Sequence, residues 1–105
     1  MINLLEETIQ CLNENGKSEN DVLWIGFGYD KGENPLYKTT WENFSESANF
    51  EYDNGYGGAK ISDDLIIVGK DFWLERHEYD GAEWWEFKTM PKEPKEQKKI
   101  IIKID

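Results

Sequence analysis

At 105 residues and a net charge of −10, the chain has room for one domain and not for two with separate cores. Twenty-two Asp and Glu against twelve Lys and Arg exclude a protein whose main contact is nucleic-acid phosphate, which takes clustered basic side chains. All fifteen aromatic residues fall between Trp24 and Phe87, interleaved with the acids, so the acidity belongs to a folded surface and not to a disordered acidic segment.

Along the chain, Leu4, Leu5, Ile9 and Leu12, with Cys11 beside them, recur at helical spacing. They predict an amphipathic helix between Ile2 and Asn15, closed by Gly16 in a left-handed cap. Cys11 is the only cysteine, so no intrachain disulfide can form; it reads as a small core residue and fits a reducing cytoplasm. Met1 to Glu7 has neither the basic start nor the apolar run of a signal peptide. Residues 22–28, Val-Leu-Trp-Ile-Gly-Phe-Gly, predict a buried strand. A turn is expected at Asp30 to Pro35 and a short strand at Leu36 to Thr39. Thr39 and Glu42 have the spacing of a capping box ahead of a second, shorter helix carrying Trp41, Phe44 and Ala48.

Asp53-Asn54-Gly55-Tyr56-Gly57-Gly58 is the most glycine-dense stretch and reads as a structured loop or a lid. Leu65 to Val68 reads as a core strand, and two further strands flank the hairpin signal Asp80-Gly81. The expected fold is therefore α+β: an antiparallel sheet of four to five strands with an N-terminal helix and a second short helix packed on it. Burial of the five Trp, roughly 150–250 Å² each, is expected to supply much of the core.

Residues 1–90 form the acidic domain, with nineteen acids against seven bases and a net of −12. Residues 91–105 are a tail of opposite sign, with five Lys against Glu93, Glu96 and Asp105, a net of +2. Four Ile in the last six residues are costly to leave in water, so the tail is expected to end in a strand paired to a sheet edge or to a second chain.

Counting outward from Asp80-Gly81 pairs Tyr79 with Ala82, Glu78 with Glu83, His77 with Trp84, Arg76 with Trp85 and Glu75 with Glu86. The period of two places Phe72, Leu74, Trp85 and Phe87 on a core face. Trp73, Glu75, His77, Tyr79, Trp84 and Glu86 fall on the other. Glu75 opposite Glu86 is repulsive unless a cation, a proton or a basic partner lies between them. Three uses are open. Glu75, His77 and Glu86 have the chemistry of metal ligands, and the same trio suits general acid and base work. The third use is recognition, with Trp73, Tyr79 and Trp84 as rigid contact area and Glu75, Glu78, Glu83 and Glu86 engaging Lys or Arg of another protein. The alternative to all three is a solvated sheet face with its aromatics partly covered by the Ile-rich tail. Elsewhere, Glu51, Asp53 and Asn54 miss the spacing of an EF-hand, Asp63-Asp64 reads as a loop terminus, and Gly57-Gly58 lacks the Lys of a phosphate loop. No motif assigns a catalytic residue, a metal or a cofactor.

Residues 72–87, Phe-Trp-Leu-Glu-Arg-His-Glu-Tyr-Asp-Gly-Ala-Glu-Trp-Trp-Glu-Phe, with residues 49–58 before them, resemble small proteins carried by phages and mobile elements of Gram-positive bacteria. Such chains are similar in size, acidity and α+β character to anti-CRISPR proteins. The resemblance implies a non-enzymatic inhibitor in the bacterial cytoplasm, binding the basic nucleic-acid channel of a Cas effector or another nuclease. Direct nucleic-acid contact and membrane contact are not expected. An immunity protein or antitoxin against a nuclease, a small metal-dependent enzyme, and a module homodimeric through its C-terminal strand are the other readings.

Overall fold

In the computed structural model, residues 1–30 and 34–103 are described. Strand β1 (Ile2–Asn3) leads directly into helix α1 (Leu4–Glu14). Asn3 caps the helix, its side-chain oxygen accepting from the Glu6 amide at 3.0 Å. At the other end Gly16 takes φ 74°. Lys17 and Gly16 donate their amides to the carbonyls of Leu12 and Asn13 (2.9 and 3.1 Å), a Schellman closure that the glycine permits. Leu4, Thr8 and Leu12, spaced by four, form the buried stripe.

After a short 3₁₀ turn at Glu19–Asp21 come β2 (Val22–Asp30), β3 (Asn34–Thr39), α2 (Trp41–Ser47), β4 (Glu51–Tyr52), β5 (Ile66–Gly69), β6 (Phe72–Tyr79) and β7 (Ala82–Thr89). Five strands form one sheet in the order β3-β2-β5-β6-β7, every neighbour antiparallel. β1 pairs with β4 in a separate two-stranded ribbon. The α+β architecture expected from the sequence is the one observed.

A single row of cross-strand partners, Thr39, Ile25, Ile67, Leu74 and Phe87, crosses the sheet on its helix-covered side. Ile25, Ile67 and Leu74 in that row are wholly buried, as is Leu12 of α1 opposite them. α1 lies against β7 and α2 against β2. Trp85 binds the two layers together, its indole N–H donating to Thr8 Oγ1 at 2.9 Å. Thr8 in turn donates to the Leu4 carbonyl at 2.7 Å. Phe72 stacks on Phe87 with ring centres 5.3 Å apart, and closes against Gly69, where a Cβ would lie 2.0 Å from the Phe72 ring.

Several expectations need correction. The core is built mainly from Leu, Ile and Phe, and of the five Trp only Trp85 is buried, because three others lie on the open sheet face and Trp41 sits at the start of α2. Residues 22–28 are not buried throughout: Leu23 is exposed where the pairing with β5 shifts register between Val22 and Trp24, and Phe27, on the same side as Ile25, is exposed at the rim of the helical cover. Helix α2 is capped by Thr40, whose hydroxyl accepts from the Asn43 amide at 3.1 Å, and not by Thr39, which β2 holds in β3. The expected C-terminal strand does not form within residues 90–103 of the single chain, and Ile100, Ile101 and Ile102 stand in solvent. Residues 31–33, the centre of the turn expected at Asp30 to Pro35, and residues 104–105 lie outside the described residues.

Candidate functional site

Two regions combine clustered acidic and aromatic side chains. The first is the β6–β7 hairpin, whose two-residue turn has Asp80 at φ 50° and Gly81 at φ 87°, the pair of positive values a tight hairpin turn demands. Its register agrees residue for residue with the count made from the sequence. Trp73, Glu75, His77, Trp84 and Glu86 accordingly share the open face, all half-buried, while Tyr79 projects at the tip, 77 % exposed.

On that face the charges satisfy one another. Glu75 accepts from the Trp73 indole at 2.7 Å and meets His77 Nε2 at 2.7 Å. Glu86 accepts from the Trp84 indole at 3.2 Å, meets Lys88 Nζ at 3.1 Å and faces His77 Nδ1 at 3.5 Å. The imidazole thus lies between the two opposed carboxylates as a polar partner, and Lys88 supplies a cation at their end, so the repulsion seen in the sequence is eased within the chain. Burial pushes the Glu75 carboxyl up, but the hydrogen bonds from Trp73 and His77 outweigh it and hold the group below its ordinary value. Glu86 is also held low, first by Lys88, against a smaller opposing effect of burial. A general acid needs the reverse, a carboxyl raised toward neutrality. Among the described residues no three His, Cys, Asp or Glu side chains converge as metal ligands.

Glu83 is not on a partner-facing surface. It is 4 % exposed and paired with buried Arg76, Nη2 to Oε1 3.0 Å. Alternation carries Glu78 and Glu83 to the helix side of the sheet, where Glu78 lies past the core in solvent and Glu83 lies within it. Arg76 also donates to Tyr52 Oη (3.0 Å) and meets Glu7 of α1 at 3.4 Å. Its guanidinium lies 4.8 Å above the Trp85 ring, which covers it as a cation–π contact. Tyr52 donates to Glu7, and burial followed by that bond pushes its phenol up to about 12.

Glu83 also accepts two amides, that of Lys60 on Oε2 (2.7 Å) and that of Ile61 on Oε1 (3.1 Å), the oxygen shared with Arg76. Together with the Glu83 amide donating to the Asn54 carbonyl at 2.8 Å, they fasten the glycine-rich loop to the hairpin. That loop is therefore structured: Gly57 takes φ 83° and its carbonyl lies 3.4 Å from where a Cβ on Gly81 would be. Asp64 serves the loop terminus as the sequence implied, accepting from Ser62 Oγ at 2.6 Å and from the Gly28 amide at 3.0 Å.

The second region is the helical layer. The amides of Leu4 and Leu5 donate to the carbonyls of Phe50 and Ala48 (both 3.0 Å), Asn3 bonds to Asn49, and Asn3 pairs with Glu51. These bonds seat the end of α2 and β4 against the start of α1. Segments 1–16 and 39–59 together carry Glu6, Glu7, Glu14, Glu42, Glu46, Glu51 and Asp53, and no Lys or Arg. Only Glu7 among them meets a cation; the other six are exposed and form no ion pair among the described residues. Phe50, 43 % exposed, is the apolar member of this surface. Its signal in the sequence was the absence of bases over two segments that the fold joins.

No protein-family model matches the chain, and no curated protein and no solved structure is detectably similar to it. No helix among the described residues is long and apolar enough to cross a membrane.

Proposed function

We propose that the protein is a non-catalytic inhibitor that lays its acidic helical layer against a basic, nucleic-acid-binding surface of another protein and occludes it. The observation that carries this reading is the set of six exposed carboxylates at Glu6, Glu14, Glu42, Glu46, Glu51 and Asp53, which have no cation of their own. Uncompensated charge of one sign on a folded surface repels itself, and that cost is recovered when Lys and Arg of a partner arrive. Phe50, exposed and next to Glu51 in the chain, adds an apolar anchor. The hairpin face is the weaker candidate for the electrostatic part of the contact, since Glu83 is paired with Arg76, Glu86 with Lys88, and Glu75 is hydrogen-bonded to Trp73 and His77. Tyr79 at its tip remains free to touch a partner. The finer identity, a phage or prophage inhibitor acting on a Cas effector or a similar bacterial nuclease, rests on the resemblance of residues 49–58 and 72–87.

Capture from a bacterial lysate tests the reading when elution is by duplex DNA as well as by salt. A nucleic-acid-binding protein displaced by both is the expected result, because DNA and the acidic layer compete for one groove and exposed charges are screened beyond about 10 Å at 0.1 M salt. A partner that DNA fails to displace overturns the occlusion mechanism.

A further inference from the structure

The outer edge of β7 is open. The Glu83 amide turns away from β6 to reach Asn54, and residues of an antiparallel pair face inward and outward alternately. The N–H and C=O groups of Trp85, Phe87 and Thr89 therefore also face outward, and among the described residues no backbone group meets them. A groove runs beside this edge. A hollow of about 220 Å³ is lined by Glu7, Gln10, Cys11 and Glu14 of α1 and by Trp84 and Trp85 of β7. Trp84 and Trp85 point to opposite faces of the sheet, so a hollow lined by both lies at the strand's rim.

The helix wall of the groove is negative. α1 has no basic residue in its last turn, and Glu14 stands at the end where the helix dipole disfavours a negative charge. Burial, then Glu14 and Glu7, push the Cys11 thiol above its ordinary value. The tail has the complementary chemistry. Ile100, Ile101 and Ile102 are 75 %, 88 % and 82 % exposed, and Lys98, Lys99 and Lys103 flank them. β-branched residues held in water favour extension into a strand that buries them.

Pro91 and Pro94 hold Met90 and Glu93 in extended backbone as the chain leaves β7. Residues 90–103 form no strand with their own β7, which the tail could reach only by reversing direction across that segment. The β7 of another copy requires no reversal. We propose that residues 98–103 of one copy add as a strand to β7 of a second copy, in the groove walled by α1, and that reciprocal exchange makes a two-fold dimer.

Cys11 lines the groove and is the only cysteine, which supplies the test. Ile101→Cys in the full chain, mildly oxidised, should yield a covalent dimer on a non-reducing gel, and adding Cys11→Ser should abolish it. In parallel, light scattering of the unmodified chain should report two chains. Ile100→Asp with Ile102→Asp, which alters only exposed tail residues, should weaken dimerisation about a hundredfold or more. An internal disulfide in a monomer would show the tail on its own β7 and overturn the exchange. Absence of any link, or a link that survives Cys11→Ser, would overturn the site as well.

Discussion

The hairpin face and the helical layer look alike in the sequence, each a mixture of Glu and aromatic residues, yet they differ in what lies opposite the acids. On the hairpin, strand pairing brings His77 and Lys88 to Glu75 and Glu86, and Arg76 to Glu83. On the helical layer no cation is within the segments, and only Glu7 gains one, by turning inward to Arg76. Acidic content therefore does not measure available charge. A carboxylate neutralised within the chain has spent its electrostatic energy on the fold, while one left alone keeps it for a partner.

Breaking the interior charge network should have the largest effect of any single change. Arg76→Ala leaves Glu83 and Glu7 without their shared cation, with Glu83 buried, and is expected to cost about 3–5 kcal/mol, read by urea unfolding. Gly69→Ala should follow, at about 1–3 kcal/mol, because its Cβ would enter the buried Phe72 ring. If either variant unfolds at the midpoint of the unmodified chain, the account of the core is wrong.

Reversing charge should separate the two regions. Glu42→Lys with Glu46→Lys and Glu51→Lys alters exposed groups that form no ion pair, so stability should change by less than about 0.5 kcal/mol at Glu46 and Glu51, and by about 1 kcal/mol at most at Glu42 in the first turn of α2. Affinity for a basic partner should fall about tenfold or more, as removal of steering and contact charge together requires. The reverse split is expected for Glu75→Gln, which loses the charge and one of the two oxygens that meet Trp73 and His77 and alters the fold more than the binding.

Titration sharpens the comparison. Glu75 and Glu86 have folded pKa values below their ordinary 4.5, so their contribution is complete above that value and is lost as pH falls through the lower, folded value. Stability measured from about pH 5 down to pH 3 should therefore decline less steeply in Glu75→Gln. Tyr52 runs the other way. Its pKa rises from 10.0 to about 12, so the stability it contributes is complete below 10 and disappears as pH climbs toward 12. Tyr52 ionising last in an absorbance titration, and no longer so late in Glu7→Gln, is the expected signature. Tyr79→Ala, at the exposed hairpin tip, should change stability by less than about 0.5 kcal/mol.

The elements whose signals are local were legible in the sequence. Asp80-Gly81 fixes its turn by backbone conformation alone, and the period of two then sets every pair from Tyr79–Ala82 to Trp73–Lys88. α1 was legible for the same reason, with Gly16 marking its end. The Arg76 network was not, because Glu7, Tyr52 and Glu83 are brought to Arg76 from three separate elements and no spacing announces them. The helix side of β6 was sorted correctly for Phe72 and Leu74, yet Arg76 on that side implied a buried partner that pattern reading does not look for. Likewise the isoleucines announce a strand, but the edge that would receive them is fixed only by the arrangement of the sheet.

The most direct measurement compares the helical layer and the hairpin face on one partner. A captured nucleic-acid-binding protein would be titrated with the unmodified chain, with the Glu42, Glu46 and Glu51 Lys variant, and with a Glu75→Gln, Glu86→Gln, Tyr79→Ala variant, at low and at high salt. Loss of binding and of its salt dependence in the helical-layer variant, with the hairpin variant binding close to normally, is the predicted result. Binding that survives in the first and fails in the second would contradict it and assign recognition to the hairpin.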